Sequence, residues 1–485
     1  MKHTLLLSLL VIAAFGCTTQ SPSLQVELPD SSSVTPAEST TVKETESARS
    51  APVTGTANRV QGAAYSYYVS ATGSDSNSGN TEDRPFKTLK RALIAARQDS
   101  TIKLITVLGQ LDAGSEDPAS DSPSVFVISD TDLELITIAG KADESATLSG
   151  TESGKTVIEI GYGARIQFEN IIISGGESEN NTGGLIVSGG QVILGSGAEI
   201  SGNKSHSVSG GVAVVRQGSL VMQDGSLVKN NVGNSFGGIY ADGKSRVALA
   251  GGTLGENQTQ SVGGGIGIIG GSSVTLSGTT ISANTGGAVF VSKDSTLTIT
   301  GGMVTGHLKA LSGTIIVNGT LTMENGEISA NEGSGIRVAQ GGTATMTGGS
   351  ISGNRDYFSG AGVSVAGTFI FENGTISDNL GNGMYIADTG TVIMNSGLIQ
   401  GNRNYFLGGG VSVAGTFKLN GGTIIGNEAS AGGGISAARR STLFIGESET
   451  PVSPATWELV TRDASNVAVI GNLATIGKSG DIYWE

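Results

Sequence analysis

The feature that most constrains this chain is a repeat of 23–27 residues, each closing on a branched aliphatic residue, two further residues and an asparagine. The asparagines are Asn203, Asn230, Asn257, Asn284, Asn331, Asn354, Asn379, Asn402 and Asn427, and His307 stands where one more belongs. Successive landmarks lie 27, 27, 27, 23, 24, 23, 25, 23 and 25 residues apart. A period in that range means stacked supersecondary units, each too small to bury its own apolar face.

One unit, Gly360 to Asn379, shows the plan. Val363 and Val365 alternate with Ser364, Phe369 and Phe371 flank Ile370, and Ile376 follows a turn at Gly374. Strands this short turn a corner before they can pair within their own coil. They must pair with their equivalents above and below, at about 4.8 Å. The expected fold is all-β, a right-handed parallel β-helix; no L-x-x-L-x-L phrase recurs to suggest leucine-rich repeats. Glycine (77 of 485 residues) has no Gly-X-Y period and falls at matching corners.

The boundaries follow from composition. Residues 1–16 pair a Lys2 n-region with an apolar stretch too short to span a bilayer, which reads as a secretory signal. Residues 17–64 are rich in Ser, Thr, Pro and Glu without hydrophobic period and read as a solvated tether. Residues 65–147, the expected N-terminal cap and first coil, hold a strand, a polar loop, an amphipathic helix at 86–97 with Pro85 in its first turn, and an alternating strand near 101–111. Repeats fill 148–446. In 447–485 Pro451, Pro454 and Trp457 break the rhythm, which returns at Asn472. The helix and the Pro/Trp segment are the expected covers for the two open ends.

The sole cysteine, Cys17, follows Gly16, and Ala14-Phe15-Gly16-Cys17 resembles a bacterial lipobox of the looser spirochaetal kind. That resemblance implies acylation of Cys17, a lipid bilayer as partner and a place in the cell envelope, at the outer membrane or cell surface. Tyr68-Val69-Ser70, then Gly73, Asp75, Asn77 and Gly79, then Pro85-Phe86-Lys87-Thr88-Leu89 is similar to the opening of a group of bacterial right-handed β-helix proteins. The group includes polysaccharide lyases and many surface proteins, so the resemblance implies a pectate-lyase-like fold strongly and an activity weakly. The coils also resemble repetitive surface adhesins such as chlamydial polymorphic membrane proteins. Here Gly286-Gly287-Ala288-Val289 is a lone near match to their G-G-A-I, F-x-x-N is absent, and no C-terminal membrane barrel is expected.

The net charge of −14, without a basic run, argues against nucleic acid. The asparagines are expected to form a buried ladder rather than a row of ligands, because buried amides need partners. Lyases and hydrolases of this fold need clustered carboxylates with nearby bases. The three histidines are His3, His206 and His307, and Asp224, Asp242, Asp294, Asp356, Asp378 and Asp388 fall in different registers. No catalytic residue is assigned. Asp75 and Asn77 alternate as in a calcium loop but lack the downstream bidentate Glu, so a plain turn competes with a calcium brace. Arg355-Asp356-Tyr357-Phe358 recurs 48 residues on as Arg403-Asn404-Tyr405-Phe406 before nearly identical strands. Stacked two coils apart, about 9.6 Å, the loops could form a platform for sugar rings or a protein partner; alternatively their aromatics fold back over the coil. Two functions stay open: a membrane-tethered binding or adhesion protein, and a calcium-dependent polysaccharide lyase.

Overall fold

A computed structural model describes residues 65–116, 122–129, 134–144, 146–308, 313–446, 451, 467–474 and 480–484. The signal, Cys17, the tether, Pro454 and Trp457 lie outside these. Among the described residues no helix is long and apolar enough to cross a membrane.

Each coil contributes one strand to each of three parallel sheets, of 15, 14 and 14 strands among the described residues. Val363–Val365 pairs in register with Met384–Ile386, Thr368–Phe371 with Thr391–Met394, and Thr375–Ser377 with Leu398–Gln400. Val363, Val365, Phe369, Phe371 and Ile376 are fully buried, as their alternation predicts. Their equivalents in other coils stack into columns that make one continuous core. Pairing already begins with Ser66–Ser70 against Leu104–Leu108 and continues to Ile136–Gly140, so parallel stacking runs through the 65–147 segment. The strand expected near 101–111 is split by Gly109, whose φ of 73° turns the chain from the first sheet into the second.

Glycine at one corner answers a packing demand. Gly349, Gly374 and Gly422 have φ of 84°, 119° and 100°, and a Cβ there would come within 2.7, 2.6 and 2.4 Å of the Met323, Met346 and Met394 methyls. The long side chain of one coil reaches under the corner of the next, and only glycine leaves room.

The ladder runs through every coil from Asn203 to Asn472. Except at His307, each amide nitrogen donates to the next Oδ1, for example Asn354 to Asn379 at 3.1 Å and Asn379 to Asn402 at 2.9 Å. Where the next rung is an asparagine, the backbone N–H donates to that same oxygen, and Nδ2 also reaches a carbonyl of the preceding coil, as Asn379 does at Ile351. One expectation is corrected. Asn230 is exposed with φ 54°; Asn231 is the buried rung, accepting from Asn203 at 3.0 Å and donating to Asn257 at 3.0 Å. The residue before each rung turns the chain with positive φ, a place filled by Gly353, Ala330 or Asp378 elsewhere and by Asn230 here. The ladder ends where Asn472 donates to Asp481 at 3.1 Å.

The helix spans Leu89–Gln98, not 86–97. Phe86 is bridged to Val69 and buried under Tyr67, so Pro85 and Phe86 belong to the preceding strand-like segment. Thr88 is the N-cap, its hydroxyl accepting from Arg91 N at 3.0 Å. In the described part of the C-terminal region, Val467–Ile470, Leu473–Ala474 and Ile482–Trp484 pair onto the stack.

Candidate functional site

The duplicated loops leave the stack just beyond the ladder. Arg355, Leu380, Arg403 and Glu428 each follow a ladder asparagine and are bridged in that order, so Arg355 and Arg403 lie two rungs apart. Between them the chain takes a short path through Gly381, where a Cβ would sit 1.9 Å from the Asp356 carbonyl. Because the middle coil has no loop, its two neighbours meet above it: the Tyr357 and Tyr405 ring centroids are 5.6 Å apart at 42°.

Each loop is held by the side chain after its arginine. Asp356 accepts from Phe358 N at 3.0 Å, Ser359 N at 3.2 Å and the Ser334 hydroxyl at 3.1 Å. Burial would raise this carboxyl, but these bonds and the Ser359 hydroxyl outweigh it and hold the group below the ordinary carboxylate value. Asn404 serves the second copy, accepting from Phe406 N and donating to Leu407 O, both at 3.1 Å. The turns aim the aromatics outward: Phe358 is 85% exposed, Tyr405 60% and Phe406 56%. Arg355 is exposed, and Arg403 pairs with Glu428 at 3.3 Å. Tyr357 is half-buried, and none of these four rings belongs to the continuous core.

A family model for the right-handed β-helix region matches residues 145–304 and 310–448. The chain belongs to the right-handed β-helix family. No curated protein matches it. Within this β-helix, sequence reasoning passed over Tyr385, which lies in the strand between those carrying Ser364 and Ser412, with Gly360 of the first loop packed against its Cβ. Its outward place in Met384-Tyr385-Ile386 was the available signal. Glu428, which holds Arg403, was also missed and has no such signal.

The remaining candidates are structural in their contacts. Asp75 accepts from Lys87 N and Thr88 N, both at 2.9 Å, and from the Thr88 hydroxyl at 2.8 Å. Asn77 donates to Pro85 O at 2.8 Å. These bonds tie the loop to the start of the helix. Asp75→Ala should destabilise the N-terminal cap by about 1–2 kcal/mol, seen as increased amide exchange across Leu89–Gln98, and a calcium chelator should leave the wild-type exchange unchanged. Glu116 accepts from Leu89 N at 2.6 Å, and burial pushes its carboxyl up to about 7. Its contribution is fully present below about 4.5 and is lost as pH rises through about 7. His206 is exposed and bonds Glu177 at 3.0 Å, beside Lys204. Among the described residues no three His, Cys, Asp or Glu side chains converge as a metal site.

Proposed function

We propose that this β-helix is a binding or adhesion protein of a bacterial cell envelope, tethered by a lipid on Cys17, and that the loops at Arg355–Phe358 and Arg403–Phe406 hold its ligand. The observation that carries the reading is the Tyr357–Tyr405 pair, 5.6 Å apart and flanked by exposed Phe358 and Phe406. Contiguous exposed apolar patches are uncommon on monomeric soluble proteins and mark interaction surfaces. Tyrosine offers a flat apolar face with a polar rim at small entropic cost, and the nearby arginines add planar donors. The partner should present matching flat apolar faces, as sugar rings or a protein surface do.

Glycan and extracellular-matrix arrays probed with residues 65–485 test the reading. Retention of a defined ligand set supports it; an array blank on both surfaces removes it. The same protein incubated with acidic polysaccharide, with and without calcium, should release no unsaturated uronate. Turnover would replace the binding reading with a lyase on the same fold.

A further inference from the structure

Among the described residues His307 is the one ladder position from 203 to 472 that is not an asparagine, and it is fully buried. Asn284 Nδ2 lies 3.2 Å from its Nε2, and its Nδ1 lies 2.9 Å from Asn331 Oδ1. An amide nitrogen can only donate and an amide oxygen only accept, so the ring carries its hydrogen on Nδ1 and offers Nε2 as acceptor. Neither neighbour can turn to suit a different state. Asn284 Oδ1 already accepts from Asn257 N at 2.9 Å and from Asn257 Nδ2 at 3.0 Å, so flipping that amide would set donor against donor one coil further on. Asn331 Oδ1 is likewise fixed by the His307 backbone N–H at 3.1 Å.

We propose that His307 is an acid-sensitive joint in the solenoid: protonation at Nε2 cuts the ladder between Asn284 and Asn331 and lets the coils on either side part. The imidazolium would set a second N–H against the Asn284 amide N–H in a fully buried position, and the Asn331 oxygen and the Thr305 carbonyl beside the ring offset only part of that burial cost. Among the described residues no charge faces the ring to offset this. The preceding coil supplies Ala283, Asn284 and Thr285, and the following coil Ala330 and Asn331; Glu332, next along the chain, is exposed. Burial therefore dominates and pushes the imidazole down to about 4 from 6.5. The two stretches matched by the family model also stop and restart around this residue, at 304 and 310. Opening here would separate the N-terminal coils from those that carry the tyrosine loops.

The sign is that of a depressed histidine. The closed joint is fully stable above about 6.5 and loses stability as pH falls toward about 4. Glu116 acts oppositely in the same window, but it lies at the N-terminal cap, so the readout must be local. Amide hydrogen exchange of the full chain, corrected for intrinsic rates, should show the opening constant of the strands around 280–282, 303–305 and 327–329 rising about tenfold per pH unit below 6.5. Strands near 398–400 should show no such rise. His307→Asn, which restores the residue found at the other rungs, should abolish the local rise while leaving the fold intact. An equal rise in H307N would overturn the proposal. So would a wild-type imidazole that titrates by NMR near 6.5, a result independent of whether the variant folds.

Discussion

Asn379→Ala should lower the stability of the stack by about 3–5 kcal/mol, read as a drop in denaturation midpoint with the fold retained below it. The size follows from what the truncation strands. Asn354 N and Asn354 Nδ2 lose their acceptor, and the Ile351 carbonyl loses a donor, all at fully buried residues. Each orphaned group costs about 1–3 kcal/mol, partly relieved by local relaxation. Asn379→Asp separates this account from simple loss of packing. The new carboxylate keeps the shape but faces Asn402 Oδ1, so at neutral pH it should destabilise at least as much as alanine and should recover in acid, where protonation restores a donor. Asn231→Ala should behave like Asn379→Ala. Asn230→Ala should cost under about 1 kcal/mol, because alanine already occupies the equivalent left-handed place at Ala283 and Ala330.

That contrast also shows where sequence reasoning reached its limit. The period alone announces parallel coils, and the alternation in Val363-Ser364-Val365 or Thr368–Phe371 tells which residues face inward. Both signals rest on burial repeated many times over, so a single deviant residue hardly disturbs them. Register inside one turn is another matter. Lys229-Asn230-Asn231 offers two asparagines, and the landmark is fixed by Val228, the inward residue three positions before the true rung. No asparagine landmark marks the coil expected before residue 148, so its strand boundaries are not legible there. The helix start was misplaced because Phe86 suits a helical period but is used in a bridge to Val69. As for the site, duplication points to both tyrosine loops. Their actual contact depends on the missing loop at Gly381, a property of three coils together that no single motif encodes.

The second large effect is on binding. Tyr357 and Tyr405 touch each other as well as any partner, so removing one should also release the other from its fixed pose. Aromatic anchors at the centre of an interface are worth about 2 kcal/mol or more each on truncation. Neither ring belongs to the core, so their loss should leave folding almost unchanged.

The central claim, that these loops are the ligand-contact surface, is tested most directly by comparing wild type with Tyr357→Ala/Tyr405→Ala against the strongest hit from the arrays. The predicted result is at least about a hundredfold rise in Kd, equivalent to about 2.7 kcal/mol, with an unchanged thermal unfolding midpoint. Binding that survives intact in the folded double variant would contradict the account and move the ligand to another face of the solenoid.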